Sequence, residues 1–182
     1  AHNPDAVCAL AGRVRRVFPH AASVHVVVSF SADKDVNANL VPLLDLVTGD
    51  RSRIIATGSS NGRLMAAAEL ALRINAMDAC SGSASGSALV VAEAGTGVEK
   101  AIELARSDYL DLKKEKPQEL KTMTDPVVLV CGSFFVMGAV RAALGIEEPI
   151  DGPFKEAAMR SVEQEWVTGT DTSNNQVKAD RK

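Results

Sequence analysis

VHVVVSF, Val24 to Phe30, is the stretch that decides the fold. Four of its seven residues are valine, and they run on without the in–out alternation of a strand that has one wet face. A near-continuous β-branched run marks a strand covered on both faces. Three more runs follow: RIIAT at Arg53–Thr57, ALVVAE at Ala88–Glu93 and PVVLVCG at Pro126–Gly132. Segments of helical period separate them. In VNANLVPLLDLV, residues Val36, Leu40, Leu43, Leu44 and Val47 fall on one helix face, with Pro42 in the second turn, where it delays or bends the helix. GRLMAAAELALRINAM and GVEKAIELARSDYL have strong helix formers, and SFFVMGAVRAALGI closes the series. Before the first strand, Pro4 to Val17 reads as a helix with proline in its tolerated first turn. Strands alternating with helices predict a Rossmann-like α/β domain: an open, mainly parallel sheet with helices on both faces.

Bulk properties narrow the function classes. At 182 residues the chain reads as one domain, residues 1–146, followed by a C-terminal extension, 147–182, with the tail-like composition of TGTDTSNNQVKADRK. SGSASGS at 81–87 is a flexible joint, too short to separate domains. A net charge of -3, with aromatics at 4%, excludes a nucleic-acid footprint of clustered cations and stacking rings. The mixed-charge run LKKEKPQELK reads as a solvated connection. Cys8, Cys80 and Cys131 have no metal spacing, and Cys131 reads as a small core residue of its strand. No apolar stretch reaches transmembrane length, and no secretory signal is visible. The expected setting is a reducing compartment (cytoplasm, mitochondrion or plastid) rather than secretion.

In such a sheet, ligands bind beyond the carboxyl ends of the strands. Those ends carry SADKD (Ser31–Asp35), GSSNG (Gly58–Gly62), EAGTG (Glu93–Gly97) and Gly132–Ser133. GSSNG and EAGTG read as helix N-caps, which favour these residue types. In the DKD run, Asp33 and Asp35 flank Lys34, and the set can orient an ammonium, a phosphate or a metal-bound water. A plain surface turn is the competing reading. GSFFVMG puts Ser133 in a helix's first turn, and Gly132 lets a ligand approach the backbone, an arrangement that favours an anion. His2, in AHNPDA, precedes a helix start and can face the same edge. His20 and His25 read as polar surface residues. No G-x-x-x-x-G-K-[ST] and no G-x-G-x-x-G after a strand occurs, so the chain holds no nucleotide-binding loop of those kinds.

Three blocks taken together, AHNPDA at 1–6, FSADKDVNANLVPLL at 30–44 and VLVCGSFFVMGAVRAAL at 128–144, resemble the C-terminal domain of the Mur-ligase superfamily. The similarity is to the branch with folylpolyglutamate synthase and dihydrofolate synthase, and covers residues 1 to 146. The resemblance implies an ATP-dependent ligase that phosphorylates a carboxylate with ATP and Mg2+ and lets the amine of glutamate attack the acyl phosphate. In that family the central domain supplies the phosphate loop and metal site, and the C-terminal domain closes over it. By resemblance His2 and Ser133 are the catalytic candidates, and Asn3, Asp33, Lys34, Asp35 and Gly132 line the substrate edge, with no metal ligand among them.

The departures are as informative. The family's Asp-Gly before Ala-His and its phosphate-loop domain are not in this sequence. The expectation is therefore a domain that binds no cofactor by itself and is not competent alone. ATP and Mg2+ belong to the complete enzyme. Its partner is then either the missing phosphate-loop domain or, on the alternative reading, the other subunits of a large assembly in which a catalytically inactive homologue has a structural role.

Overall fold

The computed structural model describes residues 3–47, 51–58, 63–81 and 88–146, with backbone only for 79–81. His2, Ser59–Gly62 of GSSNG, most of the SGSASGS joint and the extension from 147 lie outside the described residues. Strands β1 (Val24–Ser29), β2 (Arg53–Gly58), β3 (Leu89–Glu93) and β4 (Val127–Gly132) make one all-parallel sheet in the order β3-β2-β1-β4. The helices are α1 (Pro4–Val17), α2 (Val36–Leu44), α3 (Ala67–Ser81), α4 (Ala94–Glu115), α5 (Pro117–Leu120) and α6 (Met137–Ala143).

The valine run does what its composition requires. Val26 and Val28 join Ile54, Ala56 and Cys131 in a core beneath α1, α2 and α3, where Val7, Ala11, Leu40, Leu43 and Leu70 meet them. Val27 and Ile55 point the other way, into a second core with Val98 and Ala101 of α4 and Val140 of α6. Both faces of β1 are thus dry, and each fully buried valine contributes about 1.5–3 kcal/mol.

The order of the strands follows from handedness. Crossovers through α2 and α3 step the chain from β1 to β2 to β3 on one face. The return through α4 must use the opposite face to stay right-handed, and it carries the chain past β2 and β1 to the far edge. Strand order therefore reverses between β1 and β4, and the helices leaving these two neighbours diverge to opposite faces.

Several local expectations need correction. His25 is not a surface residue: it is fully buried in β1. EAGTG does hold a helix start, with Glu93 at the N-cap position, but it is not a loop. The helix begins at Ala94, Thr96 and Gly97 lie inside it, and Glu93 makes no side-chain cap bond. The LKKEKPQELK connection is exposed for the most part but helical, split between the end of α4 and α5 by Lys116 ahead of Pro117. Pro42 neither delays the start of α2 nor lets it run to Val47. Without a proline N–H the Ala38 carbonyl loses its helical partner, and the helix ends two residues on, at Leu44.

Candidate functional site

The reversal of strand order creates a crevice at the carboxyl ends of β1 and β4, the position where open α/β sheets hold ligands. A cleft of about 200 Å3 lies there, lined by Phe30, Ser31, Lys34, Ser133, Phe134 and Phe135. It unites two sequence blocks a hundred residues apart, the segment after β1 and the segment after β4.

The β1 segment is clamped from below. Met65 N–H donates to the Phe30 carbonyl (2.9 Å), Ala32 N–H to the Arg63 carbonyl (3.2 Å), and Ser31 bridges Leu64 in antiparallel fashion. A turn closed by Lys34 N–H on the Ser31 carbonyl (3.1 Å) then presents Asp33 and Lys34 outward, their charged atoms 3.4 Å apart. Asp35 ends the loop as the N-cap of α2, its carboxylate accepting from Ala38 N–H at 3.0 Å. Buried Asn39 holds the same loop from the helix side, donating to the Asp35 carbonyl at 2.6 Å.

The β4 segment is shaped by Gly132, whose φ of 109° lies in the region that favours glycine. That turn lets Ser133 N–H donate to the Ser29 carbonyl at 2.6 Å, which fastens it to the end of β1. Ser133, buried, uses its hydroxyl oxygen to accept from Phe135 N–H (3.3 Å) at the head of a 3-10 turn, Phe134–Val136.

Among the candidates read from the sequence, the structure brings Lys34 and Ser133 together as walls of one cleft, with Gly132 setting the turn beneath Ser133. Asp33 and Asp35 share the Lys34 loop but do not line the cleft. Asn3 is the N-cap of α1, accepting from Ala6 N–H at 2.8 Å. A helix that enters a parallel strand through a short loop runs antiparallel to it, so Asn3 lies at this same carboxyl edge.

The aromatic walls were missed as site residues. Phe134 is 84% exposed and Phe135 47%, with the Arg63 guanidinium 5.7 Å above the Phe135 ring. A signal for them does exist in GSFFVMG. Adjacent positions on a short helix do not share a face, so two consecutive phenylalanines cannot both reach the core. The walls make the cleft an apolar slot bordered by Lys34, whose ammonium pairs with Asp33. Among the described residues no group of three or more His, Cys, Asp or Glu is placed to hold a metal ion.

No protein-family model matches the chain, and no curated protein sequence matches it. Solved structures do. Folylpolyglutamate synthase from Mycobacterium tuberculosis, complexed with ADP and AMPPCP, is similar over 82% of this chain with a TM-score of 0.60 and 23% identity. FolC from E. coli, in complex with DHPP and ADP, is similar over 80% with a TM-score of 0.53 and 22% identity. This chain spans 29% of the length of the first and 27% of the second. At this level of identity the likeness is one of fold: this chain shares its four-stranded parallel sheet with helices on both faces with both structures.

Proposed function

We propose that this chain is the C-terminal domain of an ATP-dependent, folate-type glutamate ligase, a carboxylate–amine ligase whose cleft edge closes over the reacting groups. The observation that carries the reading is the switch-point cleft, where Lys34 and Ser133 meet on a fold shared with folylpolyglutamate synthase. On this reading ATP and Mg2+ are bound by the complete ligase, as the resemblance implies. What this edge supplies is a fixed cation and hydroxyl beside the transfer and, on closure, exclusion of water from it. His2, Asn3, Asp33 and Asp35 belong to the same edge on this reading.

The test joins this domain to a nucleotide-binding remainder and measures glutamate addition. Lys34→Ala and Ser133→Ala are each expected to lower kcat/KM about tenfold to a hundredfold, roughly 1.4–2.8 kcal/mol of transition-state stabilisation. Unchanged rates in both variants remove the assignment.

Asp35 separates structure from function by a second pair of variants. Asparagine caps a helix as well as aspartate does, so Asp35→Asn should keep stability within a few tenths of a kcal/mol, whereas Asp35→Ala should lose about 1 kcal/mol in urea unfolding. Activity lost in Asp35→Asn with stability kept assigns the carboxylate charge to the reaction.

A second reading, an inactive homologue serving as an assembly subunit, draws on the exposed Phe134–Phe135 pair, an apolar contact suited to another protein surface. It gains if no reconstituted form adds glutamate while Phe134→Ser abolishes co-purification of specific partners.

A further inference from the structure

The inner face of α2 carries Val36, Leu40, Leu43 and Leu44, and one residue on it breaks the apolar pattern. Asn39 stands three positions after Val36 and four before Leu43, and it is wholly buried. Its amide nitrogen donates to the Asp35 carbonyl at 2.6 Å. The helical bond from its own backbone N–H to that carbonyl is longer, at 3.3 Å. The amide oxygen, Oδ1, is buried and meets no hydrogen-bond donor among the described residues. An asparagine side chain has two N–H donors and an oxygen with two lone pairs, so this one leaves its acceptor unmatched. Burying such a group destabilises a fold, and a residue that breaks the local pattern at that cost is expected where function requires it.

We propose that Asn39 is a positioning residue for Lys34, holding from within the core the loop that carries this cation to the cleft. The inference rests on the ligase reading of that cleft. The loop from Ser31 to Asp35 is pinned at both ends. At its start Ala32 N–H donates to the Arg63 carbonyl, and Lys34 N–H donates to the Ser31 carbonyl. At its end Asp35 is held twice, by its carboxylate on Ala38 N–H and by its carbonyl on Asn39. The capping bond is exposed to water, whereas the Asn39 bond comes from a buried side chain. Lys34 has no comparable hold of its own. Its side chain is half-exposed and pairs with exposed Asp33, an ion pair of little strength, so its direction depends on the backbone beneath it.

Threonine and valine at position 39 separate this role from packing. The two side chains have nearly the same shape. A threonine hydroxyl in a helix donates to the carbonyl four residues back, here that of Asp35, and valine has no donor. In the full chain, Asn39→Val should unfold in urea at a midpoint equal to or above that of Asn39→Thr. The Asp35 carbonyl keeps its backbone partner in both variants, and neither holds the unmatched amide oxygen. Hydrogen exchange at the Lys34 and Ala38 amides should nevertheless be about threefold to tenfold faster in Asn39→Val than in Asn39→Thr or the wild type, with β1 amides unchanged. In the reconstituted ligase Asn39→Val should lower kcat/KM for glutamate addition about threefold to tenfold, and Asn39→Thr should stay within about twofold of the wild type.

A lower midpoint for Asn39→Val than for Asn39→Thr, with equal exchange at Lys34, makes Asn39 a packing residue and overturns the proposal. An Asn39→Thr variant as loose and as slow as Asn39→Val overturns it too. So does a rate lowered in Lys34→Ala but unchanged in Asn39→Val. Failure of the ligase reading shows separately: Lys34→Ala at the wild-type rate removes the reaction, and the exchange contrast alone then decides whether Asn39 holds the loop.

Discussion

Gly97→Ala is expected to lower the stability of the domain by about 1–3 kcal/mol, the usual range for overpacking a close-packed core. Helix propensity gives the opposite sign, since alanine is better than glycine in a helix interior by about 1 kcal/mol. Packing decides the sign. A Cβ at Gly97 runs into the Thr57 side-chain methyl, with Val27 Cγ1 at 3.4 Å and Ile55 Cγ2 at 3.7 Å behind it. Thr57 cannot swing aside, because it is wholly buried and its hydroxyl donates to the Val28 carbonyl at 3.1 Å. The glycine lets α4 lie directly on β1 and β2, so a side chain there lifts the helix off the second core. Gly12 is the control: it too lies inside a helix, α1, but a Cβ there meets nothing within 4 Å. Gly12→Ala should therefore stabilise by about 0.5–1 kcal/mol. Opposite signs in urea unfolding of the two variants confirm the α4–sheet contact, and a stabilising Gly97→Ala removes it.

The contrast between these glycines shows where sequence reasoning stops. Gly12 sits among better helix formers than Gly97, which follows Gly95 and Thr96, but neither segment's composition tells which glycine lies against the sheet. The strands were legible because burial on both faces demands a composition that little else in a chain shows, and Val24–Ser29, Arg53–Gly58 and Val127–Gly132 fall within a residue of the expected runs. The α1 limits were legible from Pro4 and an apolar face that ends at Val17. His25 was misread because a single imidazole carries no pattern by itself. Its partner is Asp108, 83 positions away, and only the β3–α4–β4 return over the second face brings the two together. The cleft was half legible. DKD and Gly-Ser stand at strand ends, but that β1 and β4 are neighbours follows from strand order, which helix and strand periodicity do not encode. The exposure of Phe134 and Phe135 was hidden for the same reason, since their surroundings are set by the reversal and not by their own segment.

Gly132→Ala is expected to have the larger effect, about 3 kcal/mol or more, and to carry the candidate site with it. An alanine at φ 109° is strained by about 1–3 kcal/mol before any contact is considered. Its Cβ would also overlap the Ser29 carbonyl oxygen, and that neighbour is backbone of the central strand, paired in register with Gly132 itself. Relief has to come from the β4 end, by rotating Ser133 away and breaking its N–H bond to the Ser29 carbonyl. Ser133→Ala removes the hydroxyl but keeps that backbone bond. Losing one long cap bond to Phe135 N–H should change stability by no more than about 1 kcal/mol. The two substitutions therefore divide shape from chemistry at the cleft. Gly132→Ala should shift the urea midpoint, expose the Ser133 amide to hydrogen exchange and abolish any ligase activity of the reconstituted enzyme. Ser133→Ala should leave the midpoint and the exchange pattern near those of the wild type and lower activity alone. If Ser133→Ala instead unfolds the domain as Gly132→Ala does, the serine belongs to the scaffold that joins β4 to β1, and the cation of Lys34 is left as the cleft's chemical group.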